Sequence, residues 1–66
     1  MSRIVKTRND KGQPHSFDDK PAIVYDDGRK EWYRNGKKHR DNDLPAVIRG
    51  DGVEFFYRFG RQSIKI

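Results

Sequence analysis

Apolar side chains along this chain fall into short runs that end at glycine turns. Pro21-Ala-Ile-Val-Tyr-Asp26 and Arg29-Lys-Glu-Trp-Tyr-Arg34 flank Asp27-Gly28, and the second of these runs and Lys37-Lys-His-Arg40 flank Asn35-Gly36. Asp-Gly and Asn-Gly are favoured two-residue hairpin loops, because a type I′ turn needs positive φ at both central positions. Two hairpins in succession predict an antiparallel meander, and no stretch shows the period of an amphipathic helix. Asp51-Gly52 and Phe59-Gly60 take the same places further on. Phe59 is the poorer turn residue, and Gly50 before Asp51 leaves room for a longer loop or a bulge. Upstream, Arg3-Ile-Val-Lys-Thr-Arg8 predicts one strand, whose β-branched pair between charges suits a sheet edge, followed by a turn at Asn9-Asp-Lys-Gly12.

The pattern returns on itself. Residues 12–42 laid on 36–66 give ten identities in 31 positions: Gly12/Gly36, His15/His39, Asp19/Asp43, Pro21/Pro45, Ala22/Ala46, Asp27/Asp51, Gly28/Gly52, Tyr33/Tyr57, Arg34/Arg58 and Gly36/Gly60. A fixed period of this size is the mark of a repeat architecture in which one supersecondary unit stacks on the next. The expectation is an all-β fold, a small antiparallel β-meander built from 24-residue hairpin repeats. Residues 1–66 would form a single domain: an N-terminal strand and turn (1–11), a partial repeat (12–20), repeat one (21–44) and repeat two (45–66).

Two-residue loops also predict a register, and with it the side-chain neighbours. Around Asp27-Gly28, Ile23 should face Trp32, Val24 should face Glu31, and Ala22 should face Tyr33. Around Asn35-Gly36, Trp32 should face His39 and Tyr33 should face Lys38. One face of the sheet would then carry Ile23, Trp32 and His39, continued by Val47 and Phe56. The other would carry Ala22, Val24 and Tyr33, continued by Ala46, Ile48, Phe55, Tyr57 and Ile64. Both faces are partly apolar, so such a sheet either curls strongly or turns one face to a partner.

Composition narrows the picture. Only 32% of the 66 residues are hydrophobic, so the core is thin and aromatics must contribute heavily to it. No cysteine is present, which excludes disulfides and thiolate metal sites and fits a reducing cytoplasm, and two histidines are too few for an ordinary structural zinc site. The net charge of +5 favours an acidic partner, either nucleic acid or an acidic protein surface. Cations and acids are interspersed, unlike a polybasic tail. No run is long enough for a spanning helix, and Met1-Ser-Arg-Ile-Val-Lys lacks the apolar core of a signal peptide. These features lead us to expect a cytoplasmic protein without a membrane partner.

No nucleophile elbow, phosphate-binding loop, HExxH or paired-carboxylate motif occurs, and the glycines sit at hairpin turns instead of ahead of helices. The expectation is that the protein is not an enzyme and has no cofactor, catalytic residue or metal ligand. His39 and Arg40, followed by Asp41 and Asp43, form the one constellation open to an acid–base or metal reading. The structural alternative packs His39 on Trp32, has its ring nitrogens cap a turn, and gives the aspartates to loop backbone N–H groups. Recurrence of His15/His39 and Asp19/Asp43 at the repeat period favours that alternative. Basic and aromatic residues interleave at Arg29–Arg34 and Lys37–Arg40, as in sheet-based single-strand binders, but adjacent strand residues such as Trp32 and Tyr33 point to opposite faces.

Pro21-Ala22, Asp27-Gly28, Trp32-Tyr33, Asn35-Gly36, His39-Arg40, Asp43-Leu44-Pro45-Ala46 and Asp51-Gly52 resemble the degenerate MORN-like repeats, also called MORN-variant or toxin–antitoxin-type repeats, of small proteins in tailed phages and giant viruses. The resemblance spans roughly residues 12–62. The pattern departs at His15-Ser16, where His-Arg is usual, and at Arg61-Gln-Ser63, where histidine would fall; terminal repeat units are often atypical because they cap the stack. The resemblance implies an all-β meander and a viral accessory protein in the host cytoplasm that binds and modulates a host protein. Trp32, Arg34, Lys37, Lys38, Arg40, Phe56, Tyr57 and Arg58 are the candidate partner-binding residues, since aromatics and arginines commonly anchor interfaces. A protein partner is the first expectation, a nucleic-acid-binding module using basic strand edges and exposed aromatics is the alternative, and self-association is a third.

Overall fold

A computed structural model of the chain describes residues 3–63. Within that range the fold is all-β with no helix: β1 (Arg3–Lys6), β2 (Ile23–Tyr25), β3 (Lys30–Glu31), β4 (Tyr33–Arg34), β5 (Lys37–Lys38), β6 (Val47–Ile48), β7 (Glu54–Arg58) and β8 (Arg61–Ser63). Every pairing is antiparallel. Six strands form one sheet in the order β1-β2-β3-β6-β7-β8, with β1 at an edge as its charged flanks predict, while β4 and β5 form a separate two-stranded sheet. The chain leaves the main sheet at Trp32, whose N–H donates to the Ala46 carbonyl.

Turn chemistry fixes two kinds of hairpin. Asn35 and Gly36 have φ of 48° and 87°, and Phe59 and Gly60 have φ of 51° and 84°, the two positive angles of a type I′ loop. In keeping with this, Tyr33 pairs with Lys38 and Arg34 with Lys37. The other two loops have three residues, one more than expected at Asp27-Gly28 and in line with the room that Gly50 leaves before Asp51. The Gly28 N–H donates to the Tyr25 carbonyl and the Tyr25 N–H to the Arg29 carbonyl, so Asp26-Asp27-Gly28 is a three-residue loop ending in a left-handed glycine. The loop at Gly50-Asp51-Gly52 is built in the same way, with Gly52 N–H on the Arg49 carbonyl.

That extra residue shifts the register, and the expected row of Ile23, Trp32 and His39 does not form. Ile23 stands opposite Glu31, and Val24 opposite Lys30. Glu31 in turn faces Val47, and Val47 faces Phe55. The expected pairings of Val24 with Glu31 and of Ile23 with Trp32 are thus each displaced by one position, the step that moves a side chain to the other face. The physical cause is the Asp27 carboxylate, which accepts the Arg29 N–H at 3.0 Å and stabilises the longer loop; Asp51 does the same for Val53 at 3.1 Å. Ile64 lies outside the described residues.

Among the residues whose burial is described, Ala22, Ile23, Trp32, Ala46 and Val47 are the buried hydrophobic ones, joined by buried Glu31 and His39. Outside the core, the two longer loops approach each other closely. A Cβ on Gly50 would overlap the Asp27 carbonyl oxygen, which accounts for glycine at this position.

Candidate interaction surface

Trp32 is only 5% exposed. Its indole N–H donates to the Asp19 carbonyl at 2.9 Å, and the Arg40 guanidinium lies 3.9 Å from its ring centroid. Arg40 is held there by the Asp19 carboxylate, through Nε at 3.0 Å and Nη2 at 3.2 Å, and by the Pro45 carbonyl at 3.1 Å. The acidic turn is shaped for this grip. Asp18 and Asp19 both have positive φ, as do Asn42 and Asp43, a backbone state that short polar side chains tolerate. A stacked and doubly hydrogen-bonded cation of this kind closes the fold over Trp32.

Both histidines fasten hairpin tips. His15 Nδ1 accepts the Asn35 N–H and His39 Nδ1 accepts the Phe59 N–H, each at 3.0 Å. The following glycines donate to the Pro14 and Lys38 carbonyls. His39 is buried, its Nε2 is 2.7 Å from an Asp41 oxygen, and its ring lies 4.1 Å from that of Phe59. Because Nδ1 accepts, the ring must be the neutral tautomer with its proton on Nε2, donated to Asp41. His39 thus caps a turn through Nδ1, whereas Asp41 bonds the imidazole and not the loop backbone.

The His39 hydrogen bond holds the Asp41 carboxyl below the usual carboxylate range, with Arg34 and Arg58 adding smaller effects in the same direction. A lowered folded-state value means the pair stabilises the fold above the ordinary carboxylate pKa, and that contribution is lost as pH falls through the folded value. Asp41→Asn should therefore be less stable than the parent near neutral pH and converge on it in acid, as read from urea midpoints across the acid range. Parallel pH curves for the two proteins would remove this pair from the forces holding the tip.

On the other side of the chain, buried Glu31 gathers three partners. Arg29 Nη2 is 2.8 Å from one carboxylate oxygen; the Tyr33 hydroxyl donates to the other at 3.0 Å and the Tyr25 hydroxyl approaches it at 3.4 Å. Burial, and then the charge of Glu31, push the Tyr33 hydroxyl well above its ordinary value. Sequence reasoning did not single out Glu31. The signal was present in the spacing, because Arg29 and Tyr33 flank it at two residues on either side and so share its face.

The eight expected partner-binding residues separate into three sets. Trp32 is buried and Arg40 is committed to covering it, so neither offers its functional face to a partner. Phe56 and Tyr57 are half-buried, and the Lys38 ammonium sits 5.0 Å from the Tyr57 ring centroid. Arg34, Lys37 and Arg58 are exposed and lie together at the hairpin tips. Arg34 is directly opposite Lys37, and Arg58 directly opposite Arg61. Lys37 packs alongside Gly60, which brings the two cationic pairs next to each other. Phe59, 54% exposed, lies among them with the Arg34 guanidinium 5.9 Å from its ring centroid. A cleft of about 340 Å³ borders this area, lined by Trp32, Arg34, His39 and Asp41 among others. No cluster of three or more metal-ligating side chains occurs among the described residues.

Comparison of the chain with protein-family models, with curated proteins and with solved structures finds no match.

Proposed function

We propose that this chain is a small, non-enzymatic β-repeat protein that acts by binding another protein. The observation that carries the reading is Phe59, a large aromatic left 54% exposed within a cluster of arginines and lysine. Aromatic and arginine residues are the usual anchors of protein interfaces, and positive charge speeds encounter with an acidic surface. Repetition of a 24-residue unit is supported by the paired roles of His15 and His39, by the complete burial of both Ala22 and Ala46, and by the shared loop geometry at Gly28 and Gly52. Together with the resemblance to degenerate MORN-like proteins, this leads us to propose a phage accessory protein that modulates a host protein in the host cytoplasm.

Nucleic acid is the less favoured partner. Stacking along a strand needs successive free aromatic faces, and here Arg40 covers Trp32 while Lys38 lies against Tyr57, which leaves Phe59 as a single exposed ring in the cationic cluster. The salt dependence of binding separates the two. A nucleic-acid complex using six or more cations should weaken by roughly a thousandfold between about 50 and 200 mM salt. A protein complex anchored on Phe59 should weaken by about tenfold or less over that range, chiefly through its association rate. A steep slope together with loss of every captured partner on nuclease treatment would sink the protein-binding reading.

A further inference from the structure

The hairpin tips carry a charge arrangement that works against the fold. Like charges directly opposite one another on antiparallel strands are destabilising, yet Arg34 faces Lys37 and Arg58 faces Arg61 in two adjacent hairpins. The anion beside them is Asp41, exposed and 3.7 Å from Arg34, and its field also reaches Arg58. Among the described residues, the side chains of Lys37, Arg58 and Arg61 make no hydrogen bond or ion pair. Phe59 adds a second cost: a bulky residue at φ 51°, where asparagine or glycine is at ease. Its backbone N–H is fixed by His39, so the exposed ring is held in place and is not a loose loop side chain.

Resting on the protein-binding reading above, we propose that this surface takes an acidic, extended peptide segment of the partner, with an apolar residue against Phe59 and carboxylates on either side of it. Carboxylates would occupy the forks of Arg58, Arg61 and Arg34, with Lys37 as an additional point charge. The arrangement is selective for such a segment because its four cations have only Asp41 beside them, and because Phe59 distinguishes an apolar centre from a plain acidic run.

The probe is an eight-residue peptide with a central leucine flanked by glutamates, titrated against the whole chain by fluorescence anisotropy. Two variants separate binding from folding. Arg61→Glu turns a like-charged cross-strand pair into an opposite-charged one, so the melting temperature should rise while peptide affinity falls by about tenfold or more. Phe59→Asn suits the left-handed turn position and keeps the backbone N–H bond to His39, so relief of turn strain offsets the lost ring contact and the fold should be kept while affinity falls by roughly tenfold. A merely structural role for these residues would move stability and binding in the same direction. Absence of peptide binding, equal binding by Arg61→Glu, tighter binding of an eight-nucleotide single strand, or a self-association removed by Phe59→Asn would each overturn the proposal. A protein partner that stays bound to Arg61→Glu would leave the function standing and refute only this surface, whereas the lack of any protein partner would refute the function itself.

Discussion

Trp32→Ala should unfold most of this protein at physiological temperature. A chain of 66 residues is stabilised by about 3–10 kcal/mol in total, and removing a buried tryptophan typically costs about 3–5 kcal/mol. The loss here is compound. Without the indole, the Asp19 carbonyl loses its donor, and Arg40 keeps its ion pair with Asp19 but loses the surface on which it stacks. The Ser16–Asp19 stretch then has little to lie against. Trp32→Phe separates the contributions, since it keeps most of the apolar area while removing the hydrogen bond, worth about 1 kcal/mol net. For a domain of this size that is a drop in melting temperature of about 4–8 °C for Trp32→Phe, against a transition lost or displaced several times further for Trp32→Ala. A melting temperature unchanged in Trp32→Ala would mean that Arg40 and Asp19 do not close the fold over this ring.

What could be read from the sequence follows from which choices are local. Asn35-Gly36 leaves the backbone little alternative to a two-residue loop, so the register of β4 and β5 was legible in advance. Phe59-Gly60 gains its place only from alignment with that loop, because no propensity favours phenylalanine at positive φ; the stabilising contacts with His39 lie 20 residues away in the chain. Asp27-Gly28 suits both a two-residue and a three-residue loop. The choice depends on whether the Asp27 carboxylate reaches the Arg29 N–H, and on the fit against Gly50, a contact between separate parts of the chain. That single residue decides whether Ile23 packs on an indole or on a carboxylate. Of the residues expected to bind a partner, Arg34, Lys37 and Arg58 fall on one exposed surface, while Trp32 and Arg40 are taken up by Asp19, whose grip on Arg40 no sequence spacing announces.

Glu31→Ala should be the next most damaging change, for the opposite physical reason. Trp32 stabilises by area, whereas Glu31 is a charge placed between Ile23 and Val47 that is tolerable only because Arg29 and two tyrosine hydroxyls satisfy it. Breaking one side of a buried ion pair costs about 3–5 kcal/mol. Arg29 is partly exposed, and water screens what remains of it, which brings the expected loss to about 2 kcal/mol. Glu31→Gln keeps an acceptor for the Tyr33 hydroxyl and should lose less. The alkaline side of the stability curve gives a second, independent reading. The Tyr33 hydroxyl is raised in the folded state, so its contribution is complete below the ordinary tyrosine value, about 10, and drains away as pH rises from there toward the folded value. Burial is the first cause of that rise, followed by the charge of Glu31 and its hydrogen bond. In Glu31→Gln the alkaline loss of stability should therefore become shallower without disappearing, while the neutral-pH stability drops. Urea midpoints measured from pH 7 upward test both halves. An alkaline limb as steep in Glu31→Gln as in the parent would show that burial alone raises Tyr33, and a neutral-pH midpoint unchanged in Glu31→Ala would show that the Arg29–Glu31 pair is no part of the core.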